Sequence, residues 1–271
     1  LVEEPLNPWK ATSTGVGEMI LDAVQKGCRK FIIGIGGSAT TEGGIGMLSA
    51  LGYDFMDENG DRLSPVFDSL EKVVQIKNNR VPEVLKDCHF QIACDVTNPL
   101  CGARGCVHVF GAQKGVKEEE KESMDRAMQS YAACLEKFTG KKLSEIPGTG
   151  AAGGLGFAFL WGLPNVELKP GIDIVLEAVG LTNELKDADV VVTGEGCLDF
   201  QTAMGKVPVG VAKTEKNYNC KVIAFAGSVT EEAKNCNEKG IDAFFSILPG
   251  VCSLDEAMDT EIAQKNMRNA A

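Results

Sequence analysis

Four times along this chain an apolar run too short for a helix stops at a turn rich in glycine or proline, and a segment of helical spacing follows. The runs are Lys30 to Ile35, Asp189 to Thr193, Val222 to Ala226 and Ala243 to Leu248. Their turns are Gly36-Gly37-Ser38, Gly194-Glu195-Gly196, Gly227-Ser228 and Pro249-Gly250. Continuous apolar runs of this length are strands buried on both faces. Strands alternating with helices build a parallel sheet with helices packed on it. The expected class is therefore α/β, with a parallel-sheet domain of Rossmann or flavodoxin type.

The helices fit between these strands. Gly15 to Gln25 carries Met19, Ile20, Ala23 and Val24 on one face and stops at Gly27, a good residue for a helix C-terminus. Thr41 to Leu51, Gly205 to Lys216 and Glu231 to Lys239 follow three of the turns, and Ser253 to Glu256 reads as a capping box opening the last helix. The alternation lapses between about Tyr53 and Leu185. That stretch holds a hairpin signal at Asp57 to Asp61 and a long amphipathic helix, Glu118 to Phe138, whose stripe of Met124, Met128, Tyr131, Leu135 and Phe138 predicts a core face. The expected division is nested: residues 1–52 with 186–271 in the parallel domain, and 53–185 as an inserted mixed α/β domain.

Charge narrows the partners. With 27 basic against 38 acidic residues the net charge is −11, which repels nucleic acid and acidic membranes over most of the surface. A phosphate bound here has to be held locally, by backbone N–H groups, chosen lysines or a divalent metal. The ten cysteines include no CxxC pair, the pattern of reduced buried thiols. No signal peptide opens the chain and no apolar stretch approaches the roughly 20 residues that span a bilayer. The expected location is the cytoplasm. The two histidines, His89 and His108, sit in strand-like runs and are read as structural.

Gly148 to Gly153 (GTGAAG) matches the dinucleotide pattern G-x-G-x-x-G, yet no buried strand precedes it and no acid follows where a ribose would need one. An NAD-dependent oxidoreductase would rest on that misplaced match alone. A Walker loop is excluded, since Gly205-Lys206 has Phe200 where the first glycine belongs and Val207 in place of Ser or Thr. What remains is a set of polar turns at predicted strand ends, where open α/β sheets bind ligands. Gly36, Gly37, Ser38 and Thr40 offer backbone donors and hydroxyls to an anion. A strand Phe90 to Cys94 delivers Asp95 and Asn98, and a strand Val107 to Phe110 delivers Lys114 and Gly115. The turn after Thr193 delivers Glu195, Asp199 and Gln201, with Lys206 close behind. Acids and lysines arriving together on glycine turns suit Mg2+ beside phosphate, which needs close backbone approach.

These stretches resemble the bacterial type-I glycerate kinases. The likeness runs in order through Ile33 to Gly44 (IGIGGSATTEGG), Ala93 to Gly102 (ACDVTNPLCG), Phe110 to Gly115 (FGAQKG), Gly150 to Gly156 (GAAGGLG), Lys169 to Asp173 (KPGID) and Thr193 to Thr202 (TGEGCLDFQT). The resemblance implies two α/β domains, one inserted in the other, and phosphoryl transfer from ATP to D-glycerate with Mg2+, giving a phosphoglycerate. It also implies a carboxyl-terminal part of a longer protein, since family members begin with a further segment that has no counterpart from Leu1 onward. Asp95, Glu195, Asp199 and Lys206 are then the candidate catalytic residues, the three acids also being candidate Mg2+ ligands. Gly36, Gly37, Ser38, Thr40, Asn98, Lys114, Gly115 and Gln201 are candidates for substrate and phosphate, and Arg104 is a further one for the substrate carboxylate. The competing class is a non-catalytic or regulatory binder of a small anionic metabolite; a homo-oligomer is left open.

Overall fold

The computed structural model describes residues 6–215 and 220–271. The chain forms two compact units, Leu1–Gly171 and Ile172–Ala271, in place of the nested division expected. The reason is strand pairing. The first predicted strand, β1 (Lys30–Gly34), lies parallel to β4 (His89–Ala93), with Lys30 opposite His89 through to Gly34 opposite Ala93. The opening residues therefore build with the middle of the chain. A strand's existence is visible in a local run of residues, but its neighbour is not.

In the first unit β4 is central, with Phe90 and Ile92 fully buried, and β5 (Val166–Lys169) pairs parallel on its other side. A small antiparallel pair, β2 (Asp54–Met56) and β3 (Gln75–Lys77), accompanies this sheet. The expected turn sits just after β2, where Asp57 accepts from the N–H groups of Asn59 and Asp61 and Met56 bridges to Arg62. Around the sheet pack α1 (Thr14–Gln25), α2 (Ile45–Ala50), α3 (Cys106–Phe110), α4 (Lys121–Thr139) and α5 (Ala151–Gly162). The stripe on α4 buries as the spacing predicts: Met124, Met128, Tyr131 and Leu135 are fully covered, while Phe138 at its end is 45% exposed and packs on Trp161.

The segment Val107 to Phe110, expected as a strand, lies in α3, so His108 is helical too. Gly105 N–H bonds back to the Gly102 carbonyl at 2.7 Å and Cys106 N–H to Leu100 at 3.0 Å, closing a tight turn that launches a helix. Four residues of mixed β-type character carry too little periodicity to separate the two outcomes.

The second unit contains α6 (Gly171–Ala178) from its second residue, α7 (Leu181–Glu184) and a parallel sheet β6 (Val190–Leu198), β7 (Lys221–Val229) and β8 (Ala243–Ser246), with β7 central. The short α8 (Phe200–Ala203) and α9 (Val207–Glu215) connect β6 to β7; Lys216, the expected last residue of that helix, lies outside the described residues. Glu231–Lys239 forms a 3-10 helix where an α-helix is expected. Ser253 caps α10 (Leu254–Met258) through the predicted capping box, and a second cap, Asp259, opens α11 (Thr260–Ala270). Leu198, Val209, Ala212, Val222 and Ala224 form the centre of this unit's core. No helix among the described residues is long and apolar enough to cross a membrane.

The first unit is pinned at one buried acid. Glu42 is fully covered and accepts from Ser13 N–H and Ser13 Oγ, and from the N–H groups of Gly44 and Gly46 at 3.2 and 3.3 Å; Ser13 Oγ accepts in turn from Met47 N–H at 3.0 Å. One carboxylate thus ties the start of α1 to the start of α2. Burial raises its pKa against the pull of those donors. The folded state therefore holds this proton more tightly than the unfolded chain, and stability from this group falls as pH rises above the ordinary carboxylate value. Glu42→Gln, which cannot ionise, is expected to lose that slope: its stability relative to wild type improves by up to about 1.4 kcal/mol per pH unit within the affected window. Urea denaturation of both proteins from about pH 5 to pH 8 checks this, and parallel curves for the two would contradict it.

Candidate functional site

The turn after β1 is built by the residues around it. Gly37 has a left-handed φ of +65°, which favours glycine, while Gly36 is exposed and a Cβ there would meet nothing within 4 Å. Ser38 and Thr40 are half-buried. The Thr40 carbonyl accepts from Lys114 Nζ at 2.7 Å, and Lys114 is only 3% exposed. Burial lowers the pKa of this ammonium, with Cys106 and Glu42 acting in the opposite direction. Expected as a phosphate-binding lysine, Lys114 is instead sunk beneath the turn, where its ammonium holds the Thr40 backbone.

The last glycine of the misplaced dinucleotide pattern serves the same turn. Ala152, Gly153 and Gly154 are left-handed inside α5, and Gly43 N–H bonds to the Gly153 carbonyl at 2.9 Å. A Cβ on Gly153 would sit 2.0 Å from the Thr40 oxygen. The Thr40 carbonyl is thus gripped by Lys114 and crowded by Gly153, which accounts for that glycine without any nucleotide. Gly115, left-handed at φ +94°, passes close to the Leu6 backbone and has a structural duty.

At the end of β4, Asp95 is exposed and accepts from Gly171 N–H at 2.8 Å, the first residue of α6. Asn98 is part of the frame: its side-chain amide donates to the Arg104 carbonyl at 2.8 Å, and its own carbonyl accepts from Gly148 and Gly150 at 3.2 and 3.0 Å. Arg104 itself is exposed. Asp125, which sequence reading passes over as a core-helix residue, is 4% exposed and accepts from Gly102 N–H at 3.0 Å, fixing the turn after Asn98. A polar residue on the buried side of an amphipathic helix is the signal that could have found it.

The second unit gathers the rest. Glu195 stands near the end of β6, half-buried; its Oε2 accepts from Thr202 Oγ1 at 2.9 Å and its Oε1 lies 3.5 Å from Lys206 Nζ. Asp199 caps α8, accepting at Oδ1 from Gln201 N–H at 2.8 Å and Thr202 N–H at 3.1 Å, while its own N–H donates to Thr202 Oγ1 at 3.2 Å. So Glu195, Asp199 and Lys206 do converge, and Thr202, fully buried, is the joint between the two acids. Sequence reading passes over Thr202; its place three residues after a capping Asp is the overlooked cue. Gln201 is exposed and enters the cap through its backbone N–H. Within neither unit do three or more His, Cys, Asp and Glu side chains gather as a metal cage, among the described residues.

The description of the glycerate kinase family matches residues 1–271. The chain belongs to the glycerate kinase family. It is 42% identical over 267 residues to a glycerate kinase of Bacillus subtilis (strain 168), a match covering 98% of this chain and 70% of that protein. It is 43% identical over 254 residues to the glycerate 2-kinase of Escherichia coli (strain K12), covering 94% and 66%. A crystal structure from Salmonella typhimurium LT2 assigned as a glycerate kinase 2 superposes with a TM-score of 0.85 at 41% identity, covering 99% of this chain and 69% of that one.

The shared hydroxyl carries a prediction. Thr202→Val keeps the shape and removes the group that bonds both Glu195 and the Asp199 cap, leaving the half-buried Glu195 carboxylate short of a donor and the Asp199 N–H short of an acceptor. A loss of about 1–3 kcal/mol is expected, with Thr202→Ser restoring most of it; equal urea midpoints for the Thr202→Val variant and the wild type would contradict it.

Proposed function

We propose that this protein transfers the terminal phosphoryl group of ATP to a hydroxyl of D-glycerate with the help of Mg2+, giving phosphoglycerate. The observation that carries the reading is the polar group at the end of β6: a half-buried carboxylate tied to a hydroxyl and paired with a lysine, on a chain of this family. Phosphoryl transfer asks a protein for positioning and charge neutralisation more than for covalent chemistry. Lys206 stands ready to neutralise phosphate charge. Glu195, aimed by Thr202, orients the attacking hydroxyl or receives its proton. Asp199 keeps α8 and Thr202 in place through the cap, with its second oxygen available to the site.

The donor set suits Mg2+ in a particular way. Mg2+ usually takes one or two carboxylates and fills its remaining positions with water and substrate phosphate oxygens, so a three-acid cage is not needed. Glu195 and Asp199 are the residues of the second unit that would hold it; Asp95 is a separate, exposed candidate ligand in the first. When bound, the ion would offset the charge that builds on the phosphoryl oxygens. In the first unit, Gly36, Gly37, Ser38 and Thr40 present backbone donors to an anionic group of a substrate, with Lys114, Asn98 and Gly115 fixing the frame behind them. The exposed amide of Gln201 can reach a substrate oxygen. We place the reaction in the cytoplasm, a reducing compartment that suits ten cysteines joined by no disulfide.

ADP release that requires both D-glycerate and Mg2+ is the expected result with purified protein. Glu195→Gln should lower kcat by about a hundredfold or more while the thermal midpoint stays within a few degrees. Binding of glycerate with no ADP release would make the chain a non-catalytic binder and overturn the reading.

A further inference from the structure

The second unit holds a cavity of about 570 Å3 at the carboxyl ends of its parallel strands, within the size range of small-molecule sites. Its floor is the backbone of β6 and β7 from Gly194 to Gly196 and from Phe225 to Ser228; Leu248, Leu254, Met258 and Met267 supply much of the remaining wall. Among the described residues, Glu195 is the one charged residue that lines it, and it does so where the strand backbone forms the floor.

Two features say what kind of molecule belongs there. The first is the floor. Gly196 sits in a strand, its φ is not left-handed, and a Cβ on it would meet nothing within 4 Å, so neither backbone geometry nor packing calls for glycine. Glycine inside a strand weakens it and often marks close approach by a ligand. Between the registered pairs Glu195 with Ala226 and Cys197 with Ser228, Gly196 faces Gly227, whose own Cβ would come 2.8 Å from the Gly196 oxygen. Two glycines side by side on adjacent strands leave bare peptide surface, against which a planar ring can lie.

The second is chemistry. D-glycerate is a small anion, far smaller than 570 Å3, and a pocket walled largely by leucine and methionine offers its charge no partner. A neutral flat heterocycle suits methionine and leucine walls, the sulfurs adding favourable contact with the ring. Continuity with the site completes the case: Glu195 lies on the cavity and is also 3.5 Å from Lys206, so a ligand seated with its base inward sends its phosphates out beside that pair.

We propose that this cavity takes the purine nucleoside of the ATP co-substrate. The inference rests on the kinase reading for the identity of the nucleotide, but nucleoside binding can be measured without turnover. The probe is adenosine, added to the full chain and followed by calorimetry and by the methyl signals of isotopically labelled methionine. Adenosine is expected to bind and to shift the Met258 and Met267 signals. Ala257→Phe on α10, which narrows the cavity, and Gly196→Val, which roughens its floor, should each weaken adenosine binding and raise the KM for ATP by about tenfold or more, with the KM for D-glycerate within about twofold. Unmoved Met258 and Met267 signals at saturating adenosine would overturn the proposal whether or not either variant folds. So would wild-type adenosine affinity and ATP KM in both folded variants, and if glycerate-dependent ADP release persists in that case the kinase reading survives alone. Adenosine binding with shifted methionine signals but no ADP release would do the reverse, supporting the cavity's occupant and overturning the kinase reading.

Discussion

The first unit depends on one carboxylate that has been taken out of water. Removing Glu42 from solvent costs free energy that only good donors can offset, and the fold supplies them from two helix starts at once: Ser13 at α1, Gly44 and Gly46 at α2. The same stretch of chain then continues backwards into the turn after β1. Two residues before Glu42, the Thr40 carbonyl is held by the buried ammonium of Lys114 and approached so closely by Gly153 that no side chain fits between them. Acid, lysine and glycine therefore act in series to fix the path of one loop, leaving Gly36 and Gly37 at the surface with free space around them.

The second unit solves a similar problem with less burial. Its acids are only half-covered, and they are organised by a hydroxyl and a helix cap in place of a deep pocket. A site arranged in this way is preorganised by local chain geometry: Glu195 stands in β6, the strand ends at Leu198, and Asp199 and Thr202 come back within bonding distance at the start of α8. Lys206 needs only the length of α8 to return to Glu195. Little long-range packing is required to keep these four together, which agrees with the small core of this unit.

Much of this is legible in the residues. The recurring apolar runs mark the strands, although the turns expected at Gly194 to Gly196 and at Gly227-Ser228 are strand, β6 running on to Leu198 and β7 to Val229. The stretch from Thr193 to Thr202 shows its acids as neighbours, with Lys206 just beyond, because they are close in sequence. What cannot be read is pairing and burial. That β1 joins β4 depends on contacts between residues far apart in the chain, for which no local pattern exists. That Lys114 sinks under Thr40, and that Glu42 is buried at all, follow from how helices dock, and an exposed and a buried lysine look alike in a string of letters. The glycines at 148 to 153 mislead in the other direction: they imitate a nucleotide loop because close backbone contact, whatever the partner, selects the same residue.

Thr202 has one hydroxyl proton and more than one place to put it. Its nearest acceptor is Glu195, but the Cys197 carbonyl and Asp199 Oδ1 both stand at 3.4 Å. Whenever the Glu195 oxygen is claimed by something else, whether a proton or a cation, that hydrogen can swing to another acceptor by rotation about a single bond, with the backbone at rest. The occupancy of the strand-end acid is thereby relayed to the first turn of α8 as a rotor setting instead of a shape change.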